Sequence, residues 1–257
     1  MHSKPSHFIW YELMTSDLDA AAKFYGAVIG WSVQGAGTPG MDYRQWSIDG
    51  VSVGGLMAAP PDASGAAMAP VWMGYLDVPD VDAAVAKIKS AGGESWMPAT
   101  DIPGVGRIAT ATDPQGAAFY VMAPIGEGVS QAFSPGLPGH GGWNELHTSD
   151  RQAGFAFYAE HFGWGKSDEF DMGPMGTYVL FNTGGEAVGG MMNSPNFPRP
   201  TWLYYFNVDD IHAAKARVEA AGGSVVNGPH EVPTGDWIVQ ARDPQGAMFA
   251  LVGPNQG

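Results

Sequence analysis

Trp10-Tyr11-Glu12-Leu13-Met14-Thr15-Ser16-Asp17 returns later in the chain as Trp143-Asn144-Glu145-Leu146-His147-Thr148-Ser149-Asp150. Phe24-Tyr25 and Gly30-Trp31 keep their distance from it and recur as Phe157-Tyr158 and Gly163-Trp164. Val53-Gly54-Gly55-Leu56-Met57 is answered by Val188-Gly189-Gly190-Met191-Met192, and Ala91-Gly92-Gly93 by Ala221-Gly222-Gly223. Asp113-Pro114-Gln115-Gly116-Ala117 is answered by Asp243-Pro244-Gln245-Gly246-Ala247. So many matches in one order, displaced only by small insertions and deletions, make the chain an internal repeat.

A fainter repeat lies inside each half. Ile9-Trp10 leading into Asp17 and an Ala-rich stretch is echoed by Val71-Trp72 leading into Asp80 and another. Each half therefore reads as two modules on one plan. The first strand covers about Phe8 to Met14 and alternates its faces, and Thr15-Ser16-Asp17 supplies an N-cap. Ala21, Phe24, Tyr25 and Val28 fall at helical spacing over Leu18 to Ile29, and Gly30 stops the helix. Short aromatic and β-branched runs follow at Trp31-Val33, Tyr43-Ile48 and Val51-Met57, parted by turn residues such as Asp49-Gly50. The second module repeats this with a strand at Val71-Val78, a helix at Val81-Ala91 capped by Pro79-Asp80, and strands near Glu94-Met97, Gly106-Ala111 and Ala117-Met122. From Gly142 to Val252 the whole series is copied. Ile125 to Gly141 crowds glycine and proline with almost no apolar periodicity, which predicts a linker over 125–141 between domains at 1–124 and 142–257.

The chain has 257 residues, 45% hydrophobic and 15% charged, enough to build two cores and too apolar for global disorder. Its formal net charge is −14 and its twelve Lys and Arg are scattered, which argues against nucleic acid and anionic membranes as partners. With no cysteine, disulfides and thiolate chemistry are excluded. No stretch reaches the ~20 apolar residues of a membrane span, and Met1 to His7 lacks a signal peptide's basic and apolar regions, so a cytoplasmic location is expected.

The doubled βαβββ plan, the Phe24-Tyr25 to Gly30-Trp31 helix ending and the Asp-Pro-Gln-Gly turn before the last strand resemble vicinal-oxygen-chelate domains, the glyoxalase, bleomycin-resistance and dioxygenase superfamily. The resemblance covers nearly the whole chain, twice, and is strongest to two-domain glyoxalase-like members of the hydroxylase or secreted-antigen type. It implies an α+β fold in which each pair of modules forms a curled, mostly antiparallel sheet around a cleft, with helices outside. It also implies a divalent metal held by His, Glu or Gln from the first and last strands of both modules. Transferred to this sequence, those ligand positions fall on Trp10, Met73 and Tyr120 in the first half and on Trp143, Leu203 and Ala250 in the second. None offers the carboxylate, imidazole or carbonyl oxygen that a hard or borderline divalent ion takes, so no metal or other cofactor is expected.

Glu12 and Glu145 stand two residues beyond Trp10 and Trp143, and strand alternation turns each to the same face as its tryptophan; His147 lies two further on. Glu145 and His147 could open a relocated metal site, with Glu186, Asp209, His212 and His230 as further donors, although Asp209 and His212 also read as helix-start residues. A carboxyl in an aromatic cleft is either paired structurally or made a general base by desolvation, with His147 as partner acid or base. Trp10, Tyr75 and Tyr120, and Trp143 and Tyr205, should face the cleft by parity, whereas Trp72 and Trp202 should face the helices. These rings either fill the cleft as core or hold a small apolar or aromatic molecule.

The leading expectation is a small-molecule-binding protein of glyoxalase type without the usual metal set, acting through Glu12, Glu145 and His147 among Trp10, Met73, Tyr75, Tyr120, Trp143, Leu203 and Tyr205. The alternative is a lyase, isomerase or dioxygenase with a relocated divalent metal or metal-free acid–base chemistry. A third reading is an interaction protein with vestigial clefts. Because two fused domains replace a dimer, a monomer is expected in preference to a homodimer.

Overall fold

The computed structural model describes residues 4–35, 42–61, 68–126, 128–194, 197 and 199–256. The first module runs β1 (Phe8–Thr15), α1 (Leu18–Ile29), β2 (Ser32–Gly35), β3 (Tyr43–Ile48) and β4 (Val51–Ala58). The second runs β5 (Val71–Asp77), α2 (Val81–Ser90), β6 (Thr100–Ile102), β7 (Gly106–Thr112) and β8 (Ala118–Pro124). The third runs β9 (Gly141–Thr148), α3 (Arg151–Phe162), β10 (Gly165–Asp171), β11 (Thr177–Asn182) and β12 (Ala187–Asn193). The fourth runs β13 (Thr201–Asn207), α4 (Ile211–Ala220), β14 (Ser224–Glu231), β15 (Trp237–Arg242) and β16 (Met248–Gly253).

Each helix starts where an aspartate side chain satisfies an otherwise orphaned amide. Asp17 accepts from Ala20 N, Asp80 from Ala83 N, Asp150 from Ala153 N, and Asp210 from His212 N and Ala213 N. Gly30 and Gly163 end α1 and α3 in the left-handed region, where a side chain would be strained.

The strands form two eight-stranded sheets, ordered β2-β3-β4-β1-β5-β8-β7-β6 and β10-β11-β12-β9-β13-β16-β15-β14. Successive hairpin strands are antiparallel, while β1 with β4, β5 with β8, β9 with β12 and β13 with β16 are parallel. The fold is therefore α+β with a mixed sheet in each repeat. Among the described residues no helix is long and apolar enough to cross a membrane.

Packing divides the chain into two compact units, and each draws one module from each repeat. One comprises Met1–Ile9, Gly74–Val129 and Asn144–Trp202; the other comprises Trp10–Met73, Ser130–Trp143 and Leu203–Gly257. In the first, α2 lies against α3, and in the second α1 lies against α4. The recurrent sequence motifs are the joints. Tyr25 Oη donates to Asp243 Oδ2 at 3.1 Å and accepts from Trp72 Nε1 at 2.9 Å. Its copy, Tyr158, donates to Asp113 Oδ2 at 3.3 Å and accepts from Trp202 Nε1 at 3.1 Å. The other carboxylate oxygen closes the turn: Asp113 Oδ1 accepts from Gln115 N and Ala117 N, and Asp243 Oδ1 from Gln245 N and Ala247 N. Burial pushes both aspartates above the usual carboxylate range, and burial together with the Asp243 charge pushes Tyr25 well above the usual phenol value.

Aromatic rings fill the space around each joint. Tyr25, Trp31, Trp46, Trp72, Phe206 and Phe249 interlock in one unit, and Tyr158 stacks on Trp164 and Trp164 on Phe181 in the other. Trp72 and Trp202 thus meet the helices, as their parity predicts.

The Gly- and Pro-rich stretch between the repeats is tied down over much of its length. Trp31 Nε1 donates to Gly139 O at 2.7 Å, just as Trp164 Nε1 donates to Ser6 O at 2.9 Å. Asn207 accepts from Gly136 N and donates to Ser134 O and His140 O. Residues 130–141 therefore stand to the second repeat as the N-terminal arm stands to the first.

One expected strand is absent. Glu94 to Met97 is irregular because hydroxyls take the place of a ladder: Glu94 N donates to Thr112 Oγ1 and Met97 N to Thr110 Oγ1, and pairing resumes only at β6.

Candidate functional site

The parallel pairing of β9 with β12 sets Glu145 beside Gly190 and His147 beside Met192. Glu145 is 7% exposed and His147 4%, so both are removed from bulk water and need partners. Strand alternation puts them on one face, and His147 Nε2 lies 2.8 Å from Glu145 Oε1, an ion-pair distance without the alignment of a full hydrogen bond. The glutamate's second oxygen accepts from Tyr178 Oη at 2.8 Å. The imidazole's second nitrogen is 2.7 Å from Ser194 Oγ, and Phe197 stacks on the ring at 4.0 Å and 15°. A polar chain runs from Ser194 through His147 and Glu145 to Tyr178.

Strand parity alone sets Glu145 and His147 on one face, whereas it gives no sign of Tyr178, Ser194 and Phe197 beside them. Tyr178 reaches the glutamate by lying over Gly190, where a Cβ would run into its ring. The recurring Gly-Gly pair was the available signal. Ser194 and Phe197 lie beyond β12, outside any helix or strand, with no periodicity to read.

The first repeat carries the same framework with other chemistry. Glu12, 2% exposed, pairs in register with Gly55, and Tyr43 lies over that glycine as Tyr178 lies over Gly190. Here Trp10 Nε1 donates to Tyr43 Oη at 3.0 Å. The position of His147 is held by Met14, a buried thioether. Tyr75 and Tyr120 are in register across β5 and β8 and stack at 4.3 Å and 14°. Met73 is buried.

In the second repeat the register partner of Tyr205 is Ala250. Leu203, Tyr205 and Ala250 form one buried apolar cluster against which Trp143 packs. Gln240 Nε2 donates to Tyr205 Oη at 2.7 Å, which satisfies the phenol that the cluster would otherwise strand. Trp143, Leu203 and Ala250, three positions to which the resemblance assigns metal donors, pack together here.

Among the described residues no three His, Asp or Glu side chains gather as a metal ion requires. Glu186, Asp209, His212 and His230 are exposed, and His212 sits at the start of α4 near the Trp237 ring.

Comparison with known proteins bears on the fold and lineage. The chain is 35% identical over 251 residues to "Putative glyoxylase CFP32" of Mycobacterium tuberculosis, spanning 95% of this chain and 94% of that one. It is 32% identical over 262 residues to "Anthracycline biosynthesis protein DnrV" of Streptomyces peucetius, spanning 96% and 93%. Among solved structures, the Mn(II)-bound glyoxalase from Novosphingobium aromaticivorans superposes with a TM-score of 0.66 at 18% identity, covering 97% of this chain and 82% of that one. The 2,2',3-trihydroxybiphenyl 1,2-dioxygenase from Sphingomonas wittichii gives 0.67 at 14%, covering 98% and 91%. The sequence profile of the Glyoxalase/Bleomycin resistance protein/Dioxygenase superfamily matches residues 7–121 and 142–251, one repeat each. The chain belongs to that superfamily, as a glyoxalase-like protein with two tandem domains.

Proposed function

We propose that this glyoxalase-like protein binds a small, planar, largely apolar molecule through its second repeat, with Glu145 and His147 fixing the ligand's polar group, and does so without the metal centre of its family. What supports the reading is the apolar cluster that Trp143 forms with Leu203 and Ala250, the positions to which the family resemblance assigns donors. Tryptophan, leucine and alanine offer a divalent cation no lone pair, and in the first repeat Trp10 offers none, Met73 only a soft thioether and Tyr120 only a phenol. The residues present do not fit the family's ion.

The two repeats differ in what they leave for a ligand. Where the first has Met14 the second has His147, with Phe197 stacked on its ring. The second repeat thus sets a polar group against an aromatic face. Aromatic walls with few placed polar groups suit a flat ligand. The name of one 32%-identical relative, an anthracycline biosynthesis protein, agrees with a planar polycyclic one.

Quenching of tryptophan fluorescence by 1,4-dihydroxyanthraquinone tests the reading. Saturable binding weakened about 10-fold or more in Glu145→Gln is expected, since a charge-assisted hydrogen bond contributes about 1.5–3 kcal/mol. Titration calorimetry with Mn2+, Zn2+ and Fe2+ provides the opposing result: tight, stoichiometric uptake of any of them overturns the metal-free site. The protein acts as a monomer in this reading, which light scattering checks.

A second reading has a specific observation behind it. Glu145 and His147 are 2.8 Å apart and linked onward to Tyr178 and Ser194, an arrangement able to take and return protons. It makes the chain an acid–base catalyst at the same site. Turnover of glutathione hemithioacetals or catechols lost in Glu145→Gln would favour it.

A further inference from the structure

The polar chain around His147 has a direction that small-molecule binding does not require. Glu145 accepts from Tyr178 through Oε2 and turns Oε1 toward His147 Nε2. A negative oxygen 2.8 Å from Nε2 favours the tautomer that carries its proton there, which leaves the Nδ1 lone pair for Ser194 Oγ at 2.7 Å. The hydroxyl then donates to a ring nitrogen free to take its proton. Phe197, stacked at 4.0 Å and 15°, holds the imidazole plane. Ser194 N donates to Thr148 O at 3.0 Å and Phe197 N to Ser194 O at 3.1 Å, so the serine backbone is anchored on both sides of the ring it faces. His147 and Glu145 are buried, whereas Ser194 is only half-buried, within reach of a ligand.

A nucleophile beside a base, and that base beside a third, negatively charged group, is the arrangement of covalent acyl transfer. We propose that Ser194 is a nucleophile activated by His147, with Glu145 as the counter-charge of the imidazolium, and that the second repeat opens activated carboxylic esters through an acyl-serine. Ser194 Oγ bonds to the ester carbonyl carbon as its proton passes to His147 Nδ1. The carbon–alkoxy bond breaks, and the leaving oxygen takes that proton. Water then attacks the acyl carbon and gives a proton to Nδ1, the bond to Oγ breaks, and Oγ recovers the proton. One ester and one water become one acid and one alcohol. Because Glu145 lies off the Nε2–H axis, its part is electrostatic: it stabilises the positive ring at the moment the proton is held there.

The proposal rests on the reading that the Glu145 and His147 site admits small molecules, and the test separates the two. The whole chain is treated with diisopropyl fluorophosphate and its intact mass followed. One adduct per chain is expected, mapped to Ser194, absent in Ser194→Ala and formed at least ~100-fold more slowly in His147→Gln. Hydrolysis of p-nitrophenyl acetate should be lost in step. An unlabelled Ser194, or labelling at an undiminished rate in His147→Gln, overturns the nucleophile. Fluorescence quenching by 1,4-dihydroxyanthraquinone is read in the same samples. If the dye binds and Ser194 stays unlabelled, the acyl-transfer step alone is wrong; if neither happens, the binding site goes too.

Discussion

At the scale of single residues, the glycines opposite the two buried glutamates do the most to shape the site. Gly190 gives Tyr178 the room to cross the strand and reach Glu145, and any Cβ there meets the phenol ring. Gly190→Ala should cost about 1–3 kcal/mol as the ring is driven off its rotamer. It should weaken dye binding as well, because the Tyr178 hydrogen bond that holds Glu145 in place is lost with it. A methyl group at Gly185 would meet nothing within 4 Å, so Gly185→Ala should change stability by under about 0.5 kcal/mol. Urea titration distinguishes the two. Glu145 and His147 were legible in the sequence because a strand places residues two apart on one face, and they do meet. Tyr178 and Ser194 were not: they lie 33 and 47 residues from their partners and arrive by register and just past the end of β12, which local periodicity does not encode.

At the scale of elements, sequence pattern located α1 to α4 and the Asp17 and Asp80 caps, since capping is a contact between near neighbours, but at α4 it pointed to Asp209 where Asp210 is the cap. It failed at Glu94 to Met97, where Thr110 and Thr112 hydroxyls from an adjoining strand replace the ladder. It also recorded Phe-Tyr and Asp-Pro-Gln-Gly as motifs without showing that one grips the other. Removing the hydroxyl in Tyr25→Phe strands Trp72 Nε1 and one oxygen of Asp243, and Asp243→Ala strands two turn amides as well. Losses of about 1–3 and about 2–4 kcal/mol are expected, with a double-mutant cycle showing coupling of at least about 0.5 kcal/mol. Strict additivity would contradict the bond. The same aspartate predicts a pH dependence of definite sign. Burial raises its folded value above its unfolded one, so the folded state holds the proton more tightly. Its contribution to stability is complete below the ordinary aspartate range, ~3.9, and is lost as pH rises through the folded value. Asp243→Asn keeps an uncharged group there, so its stability relative to the parent should improve as pH climbs through that window; thermal melts showing the reverse would contradict the assignment.

At the scale of the whole molecule, the repeat was plain in the sequence, but which module packs with which was not, because likeness between modules carries no information about their neighbours. Each compact unit takes one module from each repeat, so the buried joints Tyr25 with Asp243 and Tyr158 with Asp113 always join residues of different repeats. A repeat cut free loses the partner of every such joint. In residues 142–257 alone, Tyr158 and Trp202 keep their mutual hydrogen bond but lose Asp113, and Tyr158 and Phe162 lose the Phe119 ring. Asp243 likewise loses Tyr25, and Phe249 loses both Phe24 and Tyr25. Several aromatic side chains, each contributing about 1.5–3 kcal/mol when buried, would face water, against a whole-domain stability of only about 5–15 kcal/mol. The fragment is therefore expected either to lose fixed tertiary structure or to pair with a second copy that restores the missing modules, whereas the intact chain melts as a folded monomer. Sedimentation with a two-dimensional amide spectrum decides it: a well-dispersed spectrum from a monomeric 142–257 would show that one repeat closes its own core and that the cross-repeat joints are dispensable.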